Sequence, residues 1–312
     1  MAYPTFVRKT SVYLPDHLKR ALAARATATK RSEAEVVRAA IETEVAATTR
    51  PSTTRQSEPP RPGRLVGIGV GPGDPDLVTV RALRALRRAD RVLAPATATD
   101  AVGRAEMIVR GAAPDVRVER VAFAMHPDAG ERAAAMATIA GGVAGHLGDD
   151  EEVAFITIGD PLTYSTFSAL ADAVRALRPD VEVEVVPGIM AFQSLAARTQ
   201  TTLVDERQRL SVRTALDGDD VTGDSDDLRD PDCTVVVYKG GRHLPELAAA
   251  AQAAGRLDRA VAGELLGMSG ERVGHLAELA ETGPAGYLAT VILPARPATA
   301  ATGKPAGKST KR

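Results

Sequence analysis

The amino-acid sequence predicts an α/β protein with substantially parallel strand pairing over residues 64 to about 294, preceded by a small helical unit. Two observations predict it. β-Branched runs alternate with alanine-rich stretches of helical length, the pattern of sheets whose strands are joined by helices. Two of these runs also end in turns rich in glycine and proline, Gly67-Ile-Gly-Val-Gly71-Pro-Gly-Asp-Pro-Asp-Leu-Val-Thr79 and Gly159-Asp-Pro-Leu-Thr-Tyr-Ser-Thr166. Open α/β sheets gather their ligands at the carboxyl ends of strands, where both turns fall.

Residues 1–47 read as one short strand and two helices. Arg8-Lys-Thr-Ser-Val-Tyr-Leu-Pro15 alternates, so Lys9, Ser11 and Tyr13 share one face while Val12 and Leu14 share the other. A helix from about Asp16 carries Leu18, Leu22 and Ala26 on a stripe. Ser32-Glu-Ala-Glu35 then reads as a capping box, in which serine and glutamate each satisfy an orphan amide of the next helix. That helix directs Val36, Val37, Ala40 and Ile41 inward. About 45 residues built this way cannot close a core alone, so the unit is expected to pair with a second copy. Residues 48–63 hold four prolines without apolar periodicity and read as an extended linker.

In the large region, strands are expected at 65–70, 90–94, 116–121, 153–158, 182–186, 233–238, 260–264 and 287–293. Helices are expected near 76–88, 102–111, 129–146, 164–178, 190–199 and 244–254. The stretch Asp217–Asp232 carries eight aspartates and reads as a solvated loop, because no histidine or glutamate converges on it to hold a metal. Residues 295–312 form a basic Ala/Pro/Lys tail with too little apolar surface to order itself.

Composition narrows the class. A hydrophobic content of 44% supports a sizeable core, and with 3% aromatics and no tryptophan that core rests on Ala, Val and Leu. Lys and Arg number 39 against 40 Asp and Glu, which excludes a polyelectrolyte. The single cysteine, Cys233, excludes an internal disulfide and a cysteine-based metal site, and reads as a structural thiol in a reducing cytosol. No apolar run reaches the roughly 18 residues of a membrane span, and the amino terminus lacks a signal-peptide stretch, so the expected location is cytoplasmic. The five histidines show no metal spacing, and no metal is expected.

On spacing alone, the first turn is close to a dinucleotide fingerprint. Pro72 and Pro75 interrupt it, however, and no acidic residue closes a second strand about twenty positions on. What it offers is bare backbone beside a helix start. With Gly159–Thr166, Val185-Val-Pro-Gly-Ile189 and Val235-Val-Val-Tyr-Lys-Gly240, the set resembles the tetrapyrrole methylase family in order and spacing over essentially all of residues 64–294. Within that family, Tyr-Ser-Thr after Gly-Asp-Pro is similar to precorrin-2 C20-methyltransferases. Siroheme-type relatives carry Gly-Gly-Asp-Pro-Phe, and the C11 and C17 enzymes usually place Tyr-Gly there.

The resemblance implies two α/β subdomains, 64–186 and 187–294, with S-adenosyl-L-methionine between them and a tetrapyrrole over the first. By position it assigns Pro72, Ile158, Gly159, Asp160, Thr163, Met190 and Ala191 to the methyl donor, with Tyr238 or Lys239 and the Leu266–Gly267 region beside them. It assigns Gly71, Gly73, Asp74, Tyr164, Ser165 and Thr166 to the acceptor. Chemically, Asp160 can accept from ribose hydroxyls or the donor's amine, or it can cap a helix starting near Thr163. Met190 can wall the adenine or fill core, and Ser165 and Thr166 can touch ligand or cap a helix. Arg207 and Arg209 can meet acidic groups of the acceptor or be ordinary surface arginines. The implied activity is methyl transfer to C20 of precorrin-2 or its cobalt form in cobalamin biosynthesis. Alternatives are another tetrapyrrole methylase, or a regulator that senses ligand through this fold without turnover. No catalytic base is identified, since Val92-Leu-Ala-Pro-Ala-Thr97 lacks the aspartate of siroheme-type relatives.

Residues 8–46 resemble a ribbon-helix-helix domain, which implies a homodimer whose ribbon of Lys9, Ser11 and Tyr13 faces DNA bases. Nine basic against five acidic side chains up to Arg50 are compatible with that partner. Pure dimerisation without DNA is the other reading of the same unit.

Overall fold

The computed structural model describes residues 13–48, 62–96, 102–123, 129–148, 150–215, 226–283 and 285–296. The chain divides into two compact units, Met1–Pro60 and Arg61–Arg312. Lys9, Ser11 and the expected ribbon up to Val12 lie outside the described residues, as do most of the linker and the end of the chain from residue 297.

In the first unit, helix α1 spans Asp16–Thr29 and α2 spans Glu33–Thr48. Lys30 ends α1 in the left-handed region (φ 52°), where its N–H reaches the carbonyls of Ala26 and Thr27. The capping box forms as the sequence implies. Ser32 N–H donates to Glu35 Oε2 at 2.8 Å, and Glu35 N–H donates to Ser32 Oγ at 3.3 Å. That Ser32 backbone amide, followed by the serine hydroxyl, holds the Glu35 carboxyl below its ordinary range. Ala26 is buried, and Val36 and Val37 are half-buried. Ala40, expected inward, is exposed while Ala39 takes the covered side, and Leu18 stays 46% exposed. A single helical hairpin has one shared seam and leaves these positions uncovered.

The second unit holds two five-stranded sheets. The first contains β1 (Arg64–Gly69), β2 (Arg91–Ala96), β3 (Val118–Ala122), β4 (Glu152–Thr157) and β5 (Glu182–Val186), in the order β3-β2-β4-β1-β5 and entirely parallel. Its helices are α3 (Val80–Arg88), α4 (Arg104–Ala112), α5 (Ala129–Gly145) and α6 (Phe167–Leu177). Sequence spacing explains them. Thr79 Oγ accepts from Ala82 N–H at 3.1 Å to start α3, and Phe167, Leu170, Ala171 and Val174 bury one face of α6. Gly67 is needed beneath that face, since a Cβ there would lie 2.5 Å from the Phe167 ring.

The second sheet is mixed, so the expectation of largely parallel pairing holds only in part. Its strands are β6 (Arg209–Thr214), β7 (Cys233–Tyr238), β8 (Val261–Glu264), β9 (Arg272–His275) and β10 (Thr290–Leu293), ordered β6-β7-β10-β8-β9. Only β6 and β7 run parallel. Helices α7 (Ala191–Thr199), α8 (Asp226–Arg229), α9 (Leu244–Ala253) and α10 (Leu276–Glu281) complete this half. The acidic stretch is more ordered than a solvated loop at its end. Leu228 is buried, and Arg209, on the surface, pairs with Asp230 and, at 3.7 Å, with Asp227. The folded unit also runs past residue 294. Ala295 is buried, and Arg296 N–H donates to the Pro231 carbonyl at 2.7 Å.

Arg256 closes this end of the sheet. It is only 2% exposed and donates to the carbonyls of Asp227, Leu228, Cys233, Leu293 and Pro294. Replacing it (Arg256→Met) leaves those buried acceptors without a donor, each costing about 1 kcal/mol or more. We expect a destabilisation of roughly 3 kcal/mol or more, read as a lowered urea midpoint with an unchanged slope. Cys233 is buried beside it, and burial pushes its thiol up from its ordinary value, as suits an inert core sulfur. Among the described residues no group of His, Cys, Asp or Glu is placed to hold a metal, and no helix is long and apolar enough to cross a membrane.

Candidate active site

Three loops leave the carboxyl ends of adjacent strands β4, β1 and β5, and they pack backbone against backbone. Gly159 N–H donates to the Gly71 carbonyl at 2.8 Å. A Cβ on Gly188 would lie 2.0 Å from the Gly159 carbonyl oxygen, and one on Gly69 would lie 2.4 Å from that same atom. Glycine is therefore a condition for these loops meeting. Asp160 ties two of them. Its Oδ1 accepts from Leu162 N–H at 2.9 Å and its Oδ2 from Gly188 N–H at 3.1 Å. It does not cap a helix at Thr163, because α6 begins at Phe167. That start is capped locally by Ser165, whose Oγ accepts from Phe167 N–H at 3.1 Å, while the Thr166 side chain makes no capping bond.

The second sheet supplies the opposite wall, and the halves meet along a tight seam. A Cβ on Gly73 would lie 1.9 Å from the Leu266 carbonyl, and one on Gly267, at φ +73°, would lie 2.3 Å from Asp74 N. Between them is an open cleft, with about 690 Å³ of empty space including the part continuous with solvent. Pro72, Ile158, Gly159, Asp160, Thr163, Met190, Ala191, Tyr238 and Leu266 all line it, as does Tyr164. Gly71, Gly73, Asp74, Ser165 and Thr166 do not. Gly73 and Asp74 sit at the seam, and the Asp74 carboxylate accepts from Asp76 N–H at 2.9 Å.

Lys239, Leu265, Met268, Leu288 and Thr290 also line the cleft. Of these, the sequence reading names Lys239 as an alternative to Tyr238 and misses the other four. Leu265 and Met268 flank the Leu266–Gly267 region it did point to. Leu288 and Thr290 carry no signal beyond membership of the last strand and its approach.

Tyr238 is the most perturbed acid of the cleft. Burial pushes its phenol up to about 12, and the Phe192 amide that donates to its oxygen at 3.3 Å only partly opposes this. It keeps its proton at neutral pH. Tyr164 crosses from the first half. Its hydroxyl donates to the Val212 carbonyl of β6 at 2.8 Å, and its ring meets Tyr238 edge-on at 6.0 Å. Three cleft residues hold left-handed backbone without being glycine, namely Tyr164 (φ 49°), Lys239 (φ 59°) and Leu265 (φ 51°). Each carries roughly 1–2 kcal/mol of strain, which concentrates where a fold positions a ligand.

Residues 64–280 match the family described as Tetrapyrrole (Corrin/Porphyrin) Methylases. The chain is 34% identical over 241 residues to a Precorrin-2 C(20)-methyltransferase from Sinorhizobium sp, covering 74% of this chain and 95% of that protein. It is 32% identical over 235 residues to a Cobalt-precorrin-2 C(20)-methyltransferase from Salmonella typhimurium, covering 74% and 96%. Among solved structures, a cobalt precorrin-4 methyltransferase superposes with a TM-score of 0.56 at 21% identity, covering 74% of this chain and 94% of that one. A uroporphyrin-III C-methyl transferase from Thermus thermophilus complexed with S-adenyl homocysteine gives a TM-score of 0.51 at 24% identity, covering 74% and 97%. With the matched segment beginning at the first residue of β1 and running through β9 of the second sheet, the chain belongs to the tetrapyrrole methylases.

Proposed function

We propose that this chain transfers the methyl group of S-adenosyl-L-methionine to C20 of precorrin-2, or of its cobalt form, in cytoplasmic cobalamin biosynthesis. The observation that carries the reading is the cleft. Nine positions that the family resemblance assigns to the methyl donor line one cavity, although they come from five separate stretches of chain. The chain covers nearly the full length of relatives named for C20 methylation, and its Tyr164-Ser165-Thr166 resembles the stretch of such enzymes.

The donor, when bound, supplies an electrophilic methyl on a sulfonium, and the chain's task is to position and dehydrate. Asp160, its carboxylate oriented by two backbone amides, takes ribose hydroxyls or the donor's ammonium. Pro72, Ile158, Met190 and Leu266 wall the adenine and keep water out. The phenol of Tyr238 lines the same cavity. Gly71, Gly73, Asp74, Tyr164, Ser165 and Thr166 are assigned to the acceptor's side. Incubating the chain with precorrin-2, with and without cobalt, and methyl-labelled donor should place label in the macrocycle, at C20 by NMR. No label under conditions where another C20-methyltransferase works would refute the assignment.

For the first unit we propose a ribbon-helix-helix dimer that binds DNA through Lys9, Ser11 and Tyr13. The capped helical pair supports it, as does Tyr13, which is 97% exposed although aromatic. Sedimentation should give a homodimer. Genomic fragments retained by the wild type should be released by the triple variant Lys9→Ala, Ser11→Ala, Tyr13→Ala; retention by that variant would sink the ribbon as the reading surface.

A further inference from the structure

Of the fifteen residues lining the cleft, two carry charge, Asp160 from the first half and Lys239 from the second. Asp160 has its backbone amides. Lys239 has nothing comparable. It follows Tyr238 at the carboxyl end of β7 in left-handed backbone (φ 59°) and is half-buried. Its ammonium lies 5.4 Å from the centroid of the Tyr287 ring, with no carboxylate or hydrogen-bond acceptor among the described residues. Arginines elsewhere in this unit pair densely with acids, as Arg64, Arg81 and Arg88 do with Glu152 and Glu184, so the lysine stands apart. An uncompensated ammonium in a largely apolar cleft is costly to keep, and strained backbone adds to that cost. A cation resting on an aromatic face is held more weakly than one in a charge-assisted hydrogen bond, so the contact with Tyr287 is easily exchanged.

We propose that Lys239 is a carboxylate-binding residue of the cleft, completed when a ligand brings its acid. The inference rests on the methyltransferase reading and deepens it. Asp160 and Lys239 give the cleft one acidic and one basic group on facing halves, complementary to an amino-acid zwitterion. The donor's aminoacyl carboxylate is one source of the acid, and an acidic side chain of the tetrapyrrole is the other. Lysine suits the task because its flexible stem lets the ammonium leave the ring and meet the ligand.

Calorimetry on the full chain separates these cases. The probes are S-adenosylhomocysteine and its decarboxylated analogue, which keeps the ammonium and lacks the acid. If the acid is the donor's, the wild type binds the first roughly 10- to 100-fold tighter than the second, the worth of one hydrogen bond between charged groups. In Lys239→Met that preference disappears, the analogue binds as before, and Lys239→Arg restores most of it. If the acid is the acceptor's, both probes bind the two proteins equally, and Lys239→Met raises KM for precorrin-2 about tenfold or more with kcat retained. Equal probe affinities together with an unchanged KM overturn the proposal. Should Lys239→Met fail to fold, Lys239→Gln serves for both cases, and a preference for the acid that survives in the variant overturns the donor case. A wild type that binds neither probe would instead refute the donor cleft itself.

Discussion

Gly188→Ala should destabilise the large unit by about 3 kcal/mol or more and leave any folded fraction unable to hold the donor. The added methyl would stand 2.0 Å from the Gly159 carbonyl oxygen and 2.8 Å from the Gly69 Cα. Both obstacles are backbone, so no rotamer change relieves the clash. Relief requires the β5 loop to swing away from the other two, which breaks the 3.1 Å bond from Gly188 N–H to Asp160. That same shift carries Met190 and Ala191 off the cleft wall. Thermal melting and S-adenosylhomocysteine titration check the two effects separately. Gly141→Ala is the control, because no atom lies within 4 Å of a Cβ there and its helix gains a better former. A Gly188→Ala chain with unchanged melting and affinity would contradict the close packing of these loops.

Asp160→Ala should weaken the donor by about a hundredfold or more while costing less in stability than Gly188→Ala. Two amides, Leu162 N–H and Gly188 N–H, lose an ionised acceptor, and bonds to charged groups are worth about 1.5–3 kcal/mol each. Water reaches this half-exposed position and replaces part of that loss. Nothing replaces the acceptor for the donor's own hydroxyls or ammonium. Asp160→Asn keeps one carbonyl oxygen but presents an NH2 to the other amide, so it should fall between alanine and wild type in affinity. Calorimetry with S-adenosylhomocysteine reads the series, and wild-type affinity in Asp160→Ala would remove Asp160 from the donor site.

The centre of the first sheet was legible because β1 and β4 are covered on both faces. Val153-Ala-Phe-Ile-Thr-Ile158 is continuously apolar, and a continuous apolar run bounded by a glycine turn has few other fates. The strands β6 and β9 were not. Arg209-Leu-Ser-Val-Arg-Thr214 lies at one edge and Arg272-Val-Gly-His275 at the other, and pairing with β7 and β8 imposes their extended state. The helix expected from residue 164 starts at Phe167, because Tyr164 turns left-handed and Ser165 supplies the cap. In the site, the glycine and Pro-Gly-Ile loops were readable since close backbone approach demands residue types that show in a sequence. Leu265, Met268, Leu288 and Thr290 are ordinary apolar or hydroxyl residues, and only the packing of the second sheet brings them to the cleft.

The place of β10 has a consequence for synthesis. The last strand to be made is the middle one of its sheet, between β7 and β8, and Thr290 at its start lines the cleft. The first sheet can assemble on a growing chain once β5 has emerged. The second cannot close until nearly all of the folded unit has left the ribosome, leaving β7 and β8 without their shared neighbour in the meantime. Ligand capacity is thus acquired in one late step, so a chain that stalls before residue 290 would carry a finished first half and no working site.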